Sequence, residues 1–163
     1  MNQRVIEKEE LAALVPHQGG MFLLSRVIRH DLDRGVLVSE YDITEESFFY
    51  RRDLGGVPSW AGFELMAQSV GALSGLNRRG RPPRIGFILS VSELILRVPA
   101  FKAGTTARIE VEEEAALGNA HSFFCRVFAG GRGGEADAAV EAKLTVMETD
   151  DPAALLGQEG GGG

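Results

Sequence analysis

The sequence predicts an α+β protein in which one antiparallel β-sheet packs against a single long helix. The helix is expected over residues 59 to about 76, an apolar run whose only charged residue is Glu64. The segments around it show the two-residue alternation of apolar and polar side chains that is typical of half-buried strands. Turn-forming pairs such as Gly118-Asn119 separate the later strands, and short turns join strands that run antiparallel.

The elements are expected in the order short helix, two strands, long helix and four strands. Residues 6–15 favour the short helix, which Pro16 ends. Residues 44–57 lack periodicity and predict a loop, partly packed because it holds three consecutive aromatic residues. The predicted strands cover residues 25–32, 35–43, 84–98, 105–113, 122–129 and 136–147. In two of them the alternation predicts an inward row: Ala107, Ile109 and Val111, and Ala138, Val140, Ala142, Leu144 and Val146.

Length and composition favour one folded domain. The chain has 163 residues, of which 44% are hydrophobic and 25% charged, enough for a sizeable core. We expect this domain over residues 1–150 and a disordered tail over 151–163, which ends in glycines. The net charge of −6 argues against nucleic-acid binding, which depends on phosphate neutralisation. The basic cluster at 78–81 fits either a solvated loop or contact with an acidic partner such as a carrier protein.

The cysteine content and the N-terminus indicate the compartment. Cys125 is the only cysteine, so no internal disulfide can form, and its apolar neighbours predict a buried, inert thiol. The sequence has no close His/Cys grouping that would suggest a metal site. The first ten residues are too charged for a signal peptide and no apolar run is long enough to span a membrane. We therefore expect a cytoplasmic protein.

The long helix carries a narrow stripe of small and polar residues. At about 100° per residue, Glu64, Gln68, Gly71 and Gly75 fall on one side of it. Small residues there allow the close approach of a sheet, a partner chain or a thin extended ligand. A carboxylate among apolar residues is costly, so it either pairs or is held protonated, as a general acid requires. Glu64 could equally point to solvent, or be a buried acid bonded to backbone amides.

Three motifs in order resemble a known family. The segment 58–68, P-S-W-A-G-F-E-L-M-A-Q, resembles the central helix of the hotdog-fold 3-hydroxyacyl-carrier-protein dehydratases, whose hallmark is E-x-M-A-Q. Upstream, P-H-Q-G-G-M-F-L-L-S-R-V at 16–27 resembles the opening of the same family. Downstream, 85–87 and 98–104 resemble its third strand and the turn after it. The Trp in the helix motif and the P-H-x-G-x-M pattern are similar to the subgroup associated with aryl-polyene pigments.

The resemblance implies a fold, a reaction and partners. It implies a hotdog fold, with the antiparallel sheet wrapped around one long central helix. It implies a lyase that converts 3-hydroxyacyl thioesters on acyl carrier protein to trans-2-enoyl thioesters, in fatty-acid-like, aryl-polyene or polyketide biosynthesis. The active sites would lie in tunnels between two hotdog subunits, identical or related. The substrate would arrive on the phosphopantetheine of the carrier protein, and no other cofactor is expected.

The reaction indicates the catalytic candidates. Dehydration needs a base near C2, an acid near C3 and donors to the thioester oxygen. The housekeeping dehydratases hold the basic His in G-H-F-P before the helix, but this chain has Tyr50 at that position, and Tyr is a poor base at neutral pH. His17 is therefore the candidate base and Glu64 the candidate acid. His17 could instead cap the preceding helix or bond the loop.

Four further residues are predicted to bind substrate. Ser59 and Trp60 begin the helix, where free N–H groups and the positive end of the dipole lie. Gly86 offers an unshielded strand backbone, and Gln68 could orient the Glu64 carboxyl from one turn away. The remaining histidines, His30 and His121, are expected at the surface.

Two other functions fit the same residues. A hotdog acyl-thioester hydrolase would use Glu64 to activate water and would not need His17. A catalytically silent hotdog subunit would bind carrier protein or complete a heterodimer, and the absence of the G-H-F-P histidine favours it. Products separate the three: an enoyl thioester, a free acid with a thiol, or no conversion.

Overall fold

A computed structural model describes residues 4–15, 22–78, 85–131 and 137–149 of the chain, with the side chains of 85 and 87 outside the description. The predicted tail, 151–163, and the candidate base His17 lie outside the described residues. Before the long helix come β1 (Ile6–Glu7), α1 (Lys8–Ala12), β2 (Arg26–Asp31), β3 (Val36–Asp42) and β4 (Gly56–Pro58). A 3-10 turn (Ser59–Ala61) and α2 (Gly62–Asn77) follow, then β5 (Ile85–Leu96), β6 (Ala100–Lys102), β7 (Thr106–Leu117), β8 (Ala120–Phe128) and β9 (Val140–Thr149).

The predicted antiparallel sheet is confirmed. Seven of the described strands form it in the order β1-β2-β3-β7-β8-β9-β5, and every pairing in it is antiparallel. β4 and β6 form a separate antiparallel pair, Gly56–Pro58 with Ala100–Lys102. The expected single helix at 6–15 was partly wrong, because residues 6–7 pair with β2 and only five residues are helical. The predicted loop at 44–57 ends in β4, whose partner β6 lies more than forty residues later and leaves no local signal.

The core lies between the sheet and α2. Both predicted inward rows are buried to within a few per cent of full burial, the first on β7 and the second on β9 and, with Ala138, just before it. The long helix is largely enclosed, because its apolar side chains are buried on most sides: Leu65, Met66, Val70, Ala72, Leu73 and Leu76. α2 has contacts with β3, β7, β8 and β9. The sheet therefore curves around the helix, and the helix sets where polar side chains can meet under it.

α2 begins at Gly62, later than the expected start at residue 59. Ser59 lies in the 3-10 turn and no side chain caps either helical segment. The Ser59 backbone N–H donates to the Pro99 carbonyl at 3.1 Å. The first N–H groups of a helix have no partner within the helix, and here a backbone carbonyl from a distant part of the chain satisfies one of them.

The close approach predicted for the small stripe is made by the chain itself. A Cβ added at Gly75 would lie 2.1 Å from the Leu14 carbonyl oxygen, so only glycine fits there. At Gly71 the nearest atom is Val15 Cγ1, at 3.9 Å. The segment after α1 thus packs across the C-terminal half of the stripe, and Glu64 and Gln68 remain at the N-terminal half.

β5 is the exposed edge of the sheet. It pairs with β9 on one side and ends the strand order on the other. Six of its large apolar side chains are exposed: Ile88, Leu89, Val91, Leu94, Ile95 and Leu96. Among the described residues, no helix is both long and apolar enough to cross a membrane.

Candidate functional site

Glu64 lies in the first turn of α2, with its side chain partly buried. Glu64 is the only acidic residue in this first turn. The turn is the positive end of the helix dipole, where the dipole and the free N–H groups stabilise a carboxylate. Its neighbours along the helix, Leu65 and Met66, are fully buried. The carboxyl is thus held at the boundary between the core and an accessible surface. A group that contacts a substrate must lie at such a boundary.

Gln68 holds the Glu64 carboxyl. Its side-chain Nε2 donates to Glu64 Oε1 at 3.0 Å, one turn along the helix. Its Oε1 accepts a hydrogen bond from the Leu23 backbone N–H at 2.8 Å. The amide side chain is fully buried, so its two ends link the acid to the chain that enters β2.

An aromatic cluster flanks this end of the helix. The Trp60 ring meets Phe49 edge-on, with centroids 5.2 Å apart, and Phe49 meets Phe48 in the same way at 4.8 Å. Trp60 is half-exposed, with 51% of its surface accessible. Tyr50 lies in the turn after this cluster and donates its backbone N–H to the Ser47 carbonyl. The cluster can therefore wall an apolar ligand beside Glu64.

Ser59 is buried beside the same helix end. Because its backbone N–H already donates to Pro99, this donor is not available to a thioester oxygen. A role for Ser59 would therefore have to come from its hydroxyl, which sequence reasoning did not consider. The bond to Pro99 could not be predicted from the sequence, because the chain turn at 97–99 brings a distant carbonyl to the helix start and has no signature in the helix motif.

Gly86 lies at the opposite end of the helix from Glu64. It pairs with Glu148 on β9, and Glu148 Oε2 accepts a hydrogen bond from Ser74 Oγ at 2.9 Å. Ser74 is ten residues beyond Glu64 on α2, or about 15 Å at 1.5 Å per residue. The structure therefore brings Glu64, Gln68, Ser59 and Trp60 together and leaves Gly86 apart from them.

The expectation that His30 lies at the surface was wrong. A register shift in β2 between Val27 and Arg29 changes the alternation of the strand. Val27 and His30 then both face inward, and His30 is only 7% exposed. A single-residue irregularity of this kind is not visible in the sequence pattern.

His121 is half-buried on the inner face of β8, because it shares the parity of Phe123 and Cys125. Its Nδ1 lies 2.7 Å from Glu113 Oε1 on β7. The pair lines a cavity of about 160 Å³ at the C-terminal end of α2 that sequence reasoning missed. The other lining residues are Leu73, Ser74, Asn77, Arg78, Phe123 and Glu148. The only signal for this cavity in the sequence is the alternation along the strands, because it places charged residues at inward-facing positions after the buried apolar ones.

The described residues also bear on metal binding. Within residues 4–15, 22–78, 85–131 and 137–149, no group of three or more His, Cys, Asp or Glu side chains is arranged to hold a metal ion. The groups at the Glu64 end are a carboxyl, an amide and aromatic rings. They can exchange a proton and enclose an apolar chain.

Comparison with known families identifies the relatives of this arrangement. A family model described as ApeP-like, ApeP dehydratase, matches residues 9–157. The curated 3-hydroxyacyl-[acyl-carrier-protein] dehydratase FabZ of Chlamydia trachomatis serovar D is 24% identical over 135 residues, covering 80% of this chain and 88% of the relative. FabZ of Chlamydia abortus is 29% identical over 112 residues, covering 66% and 72%.

Solved structures confirm the predicted hotdog fold. The dehydratase heterocomplex ApeI:P from Xenorhabdus doucetiae contains a chain with a TM-score of 0.77 and 24% identity, covering 90% of this chain and 95% of that one. A putative thioesterase from Ralstonia eutropha JMP134 has a TM-score of 0.56 and 19% identity, covering 74% and 82%. The fold thus serves proteins described as dehydratases and as thioesterases, and it does not by itself select between them.

Proposed function

Because this chain belongs to the ApeP-like dehydratase family, we propose that Glu64 is the acid of a 3-hydroxyacyl thioester dehydratase. The chain is a dehydratase-like lyase that converts 3-hydroxyacyl thioesters on acyl carrier protein to trans-2-enoyl thioesters. The observation that carries the assignment of Glu64 is its place in the E-x-M-A-Q helix, partly buried and bonded to Gln68. The thioesterase alternative has support only from the shared fold.

In the reaction, a base removes a proton from C2 while the C3–O bond breaks. The protonated Glu64 carboxyl gives its proton to the departing hydroxyl, which leaves as water. The electron pair of the C2–H bond becomes the C2=C3 double bond, so the products are a trans-2-enoyl thioester and one water molecule. The proton taken by the base later returns to the Glu64 carboxylate through solvent. Acid–base assistance of this kind contributes about 100- to 10,000-fold each.

We propose His17 as the base. It lies outside the described residues, so the support comes from the residues on each side of its segment. Before the segment, Val15 lies against Gly71 of α2. After it, the Leu23 N–H bonds to Gln68, whose amide holds Glu64. Both flanks therefore lie on the same stripe of α2 as the acid, Val15 against its C-terminal half and Leu23 beside the amide that holds Glu64.

We propose that Trp60 walls the acyl chain and that Ser59 contacts the substrate through its hydroxyl. The half-exposed Trp60 ring stands beside Phe49 at the same helix end as Glu64. The predicted role of Gly86 is tied to a second subunit, because about 15 Å separates its end of α2 from Glu64 within one chain. No bound cofactor enters the proposal, since both proton transfers use side chains and the substrate is carried by phosphopantetheine.

We propose a second hotdog subunit as the partner that covers β5. An exposed apolar edge strand is a template for pairing with another chain, and β5 has six exposed large apolar residues on such an edge. The name of the heterocomplex ApeI:P supports a related rather than identical subunit. Acyl carrier protein is proposed as the second partner, because the FabZ relatives are named for it.

Mass spectrometry of a 3-hydroxyacyl carrier protein tests this function. The substrate is incubated with wild type, His17→Ala and Glu64→Gln, each alone and with a related hotdog subunit. We expect loss of one water with wild type and a drop of 100-fold or more, as an estimate of about the size of one acid or base, in both variants. Glu110→Gln is the matched control, since it changes a carboxyl on β7 that pairs with Arg108 and Arg126 and not with the helix.

The other products contradict the proposal in distinct ways. Release of a free acid and a thiol would establish a thioesterase. Full turnover by His17→Ala, with none by Glu64→Gln, would remove His17 from the pair and leave the acid. No conversion under any condition, with carrier protein still bound, would establish a silent subunit.

A further inference from the structure

Gln68 is a fully buried polar side chain that bonds Glu64. It is 0% exposed and carries hydrogen bonds at both ends of its amide. A buried amide without partners costs about 1–3 kcal/mol, and these two hydrogen bonds offset that cost. Its two partners lie on different elements: Glu64 is one turn away on α2, and Leu23 is 45 residues away in the chain that enters β2.

The orientation of this amide is fixed by its backbone partner. The Leu23 N–H can only donate, so the oxygen of Gln68 must face Leu23. The NH₂ group must then face Glu64, and Glu64 Oε1 is held as an acceptor. A proton on the Glu64 carboxyl is consequently placed on Oε2, the other oxygen.

We propose that Gln68 is a positioning residue, anchored by the Leu23 backbone, that fixes which Glu64 oxygen gives its proton to the substrate hydroxyl. This inference rests on the proposed role of Glu64 and assigns Gln68 a task other than binding substrate. A fully buried side chain does not reach a substrate, but it can hold the rotamer of one that does. Catalytic groups displaced by about 1 Å lose on the order of 100-fold in rate.

Two substitutions separate the two bonds. Gln68→Glu keeps an oxygen for the Leu23 N–H, but at neutral pH it puts a second carboxylate where Glu64 needs a donor. In Gln68→Met the new side chain has a similar length, but it makes neither hydrogen bond. The matched control is Ser69→Ala, because Ser69 is equally buried on the same helix and bonds Leu65 and Ser39 instead of the acid.

The first measurement is steady-state kinetics over a range of pH. We expect Gln68→Met to lower kcat about 10- to 100-fold with KM changed by less than about threefold. Gln68→Glu is expected to lose a similar factor at neutral pH and to regain activity as the pH falls, because a protonated Glu at 68 again donates to Glu64. Ser69→Ala should lower the unfolding temperature without changing kcat or its pH profile. A loss of kcat in Gln68→Met no larger than in Ser69→Ala, or no recovery in Gln68→Glu, would overturn the inference.

The second measurement does not depend on turnover. In ¹⁵N–¹H spectra the Leu23 amide should be protected from exchange in wild type and in Gln68→Glu, and should lose protection in Gln68→Met. Protection of Leu23 in Gln68→Met would overturn the anchor. If wild type dehydrates nothing, the proposed function fails while this measurement still decides the anchor.

Discussion

Gly75 of α2 lies directly against the Leu14 carbonyl, so closely that a methyl group at residue 75 would stand 2.1 Å from the oxygen. The contact ties the segment after α1 to the central helix. It also means that, in the C-terminal half of the stripe, the small residues allow the segment after α1 to pack against the helix. A ligand that uses the stripe is confined to the half that holds Glu64 and Gln68.

Gly75→Ala is expected to destabilise the protein by about 2–4 kcal/mol, because the clash is with rigid backbone. Gly71→Ala is the matched control, since the nearest atom to its new methyl group is Val15 Cγ1 at 3.9 Å. There the gain in helix propensity, about 1 kcal/mol, should dominate and stabilise the protein. Urea unfolding of both variants tests this. Equal effects of the two substitutions would mean that Leu14 does not pack as described.

The Arg26–Asp42 pair predicts a pH dependence of stability. The hydrogen bond from Arg26 lowers the pKa of the Asp42 carboxyl from its ordinary value of 3.8, and the Thr106 hydroxyl adds to this effect while partial burial opposes it. Because the folded pKa is the lower one, Asp42 stabilises the fold above pH 3.8, and this stabilisation is lost as the pH falls through the folded value.

Asp42→Asn should therefore be less stable than wild type at pH 7, and the difference should shrink below about pH 4. The effect is expected to be modest and salt-dependent, because 43% of the Asp42 side chain is exposed. Urea unfolding at both pH values measures it. Asp53→Asn, which removes an exposed partner of Arg51, should show a smaller difference. A gap between Asp42→Asn and wild type that widens on acidification would contradict the assignment.

Cys125 is predicted to be unreactive in the folded protein. Desolvation inside the sheet, with a smaller contribution from Glu114, raises the pKa of its thiol to about 12. The thiolate, which is the reactive form, is therefore scarce at neutral pH. An aromatic disulfide reagent should label one thiol per chain in denaturant and almost none under native conditions at pH 8. Rapid native labelling without unfolding would show that β8 opens locally.

Much of the fold could be predicted from the sequence, because alternation and burial coincide on β7 and β9. The parts that could not be predicted depend on long-range pairing. β4 forms only because β6 returns to it, and His30 faces inward only because β2 has an irregularity. Neither feature has a local signal.

The site follows the same division. The helix motif places Glu64 and Gln68 one turn apart, and the hydrogen bond between them follows from helical spacing. The bond from Leu23 to Gln68 comes from tertiary structure. So does the distance of Gly86 from Glu64, which the pairing of β5 with β9 determines. Their catalytic roles, like that of His17, stay predictions until the variants are measured.

His121→Ala is expected to leave dehydration within about twofold of wild type. His121 lies at the end of α2 opposite Glu64, too far to share a site with the acid of its own chain. Towards a site shared with a second subunit, its Nδ1 is already engaged by Glu113 Oε1 at 2.7 Å. Loss of the hydrogen bond should cost about 1 kcal/mol of stability, which thermal unfolding would detect. Glu113→Gln should behave alike. A collapse of turnover in His121→Ala would transfer the role of base away from His17.

The exposed edge of β5 makes the last prediction. Leu89 is 53% exposed on the edge strand, and a lysine there would place a charge against any strand that pairs with β5. We expect Leu89→Lys to weaken association with the second hotdog subunit at least about tenfold, since burying an unpaired charge costs several kcal/mol. Light scattering over a dilution series measures this. Leu117→Lys is the control, because Leu117 is 85% exposed at the β7–β8 turn, away from the edge. Equal association of both variants and wild type would mean that the partner covers another surface, and the role proposed for Gly86 would lose its basis.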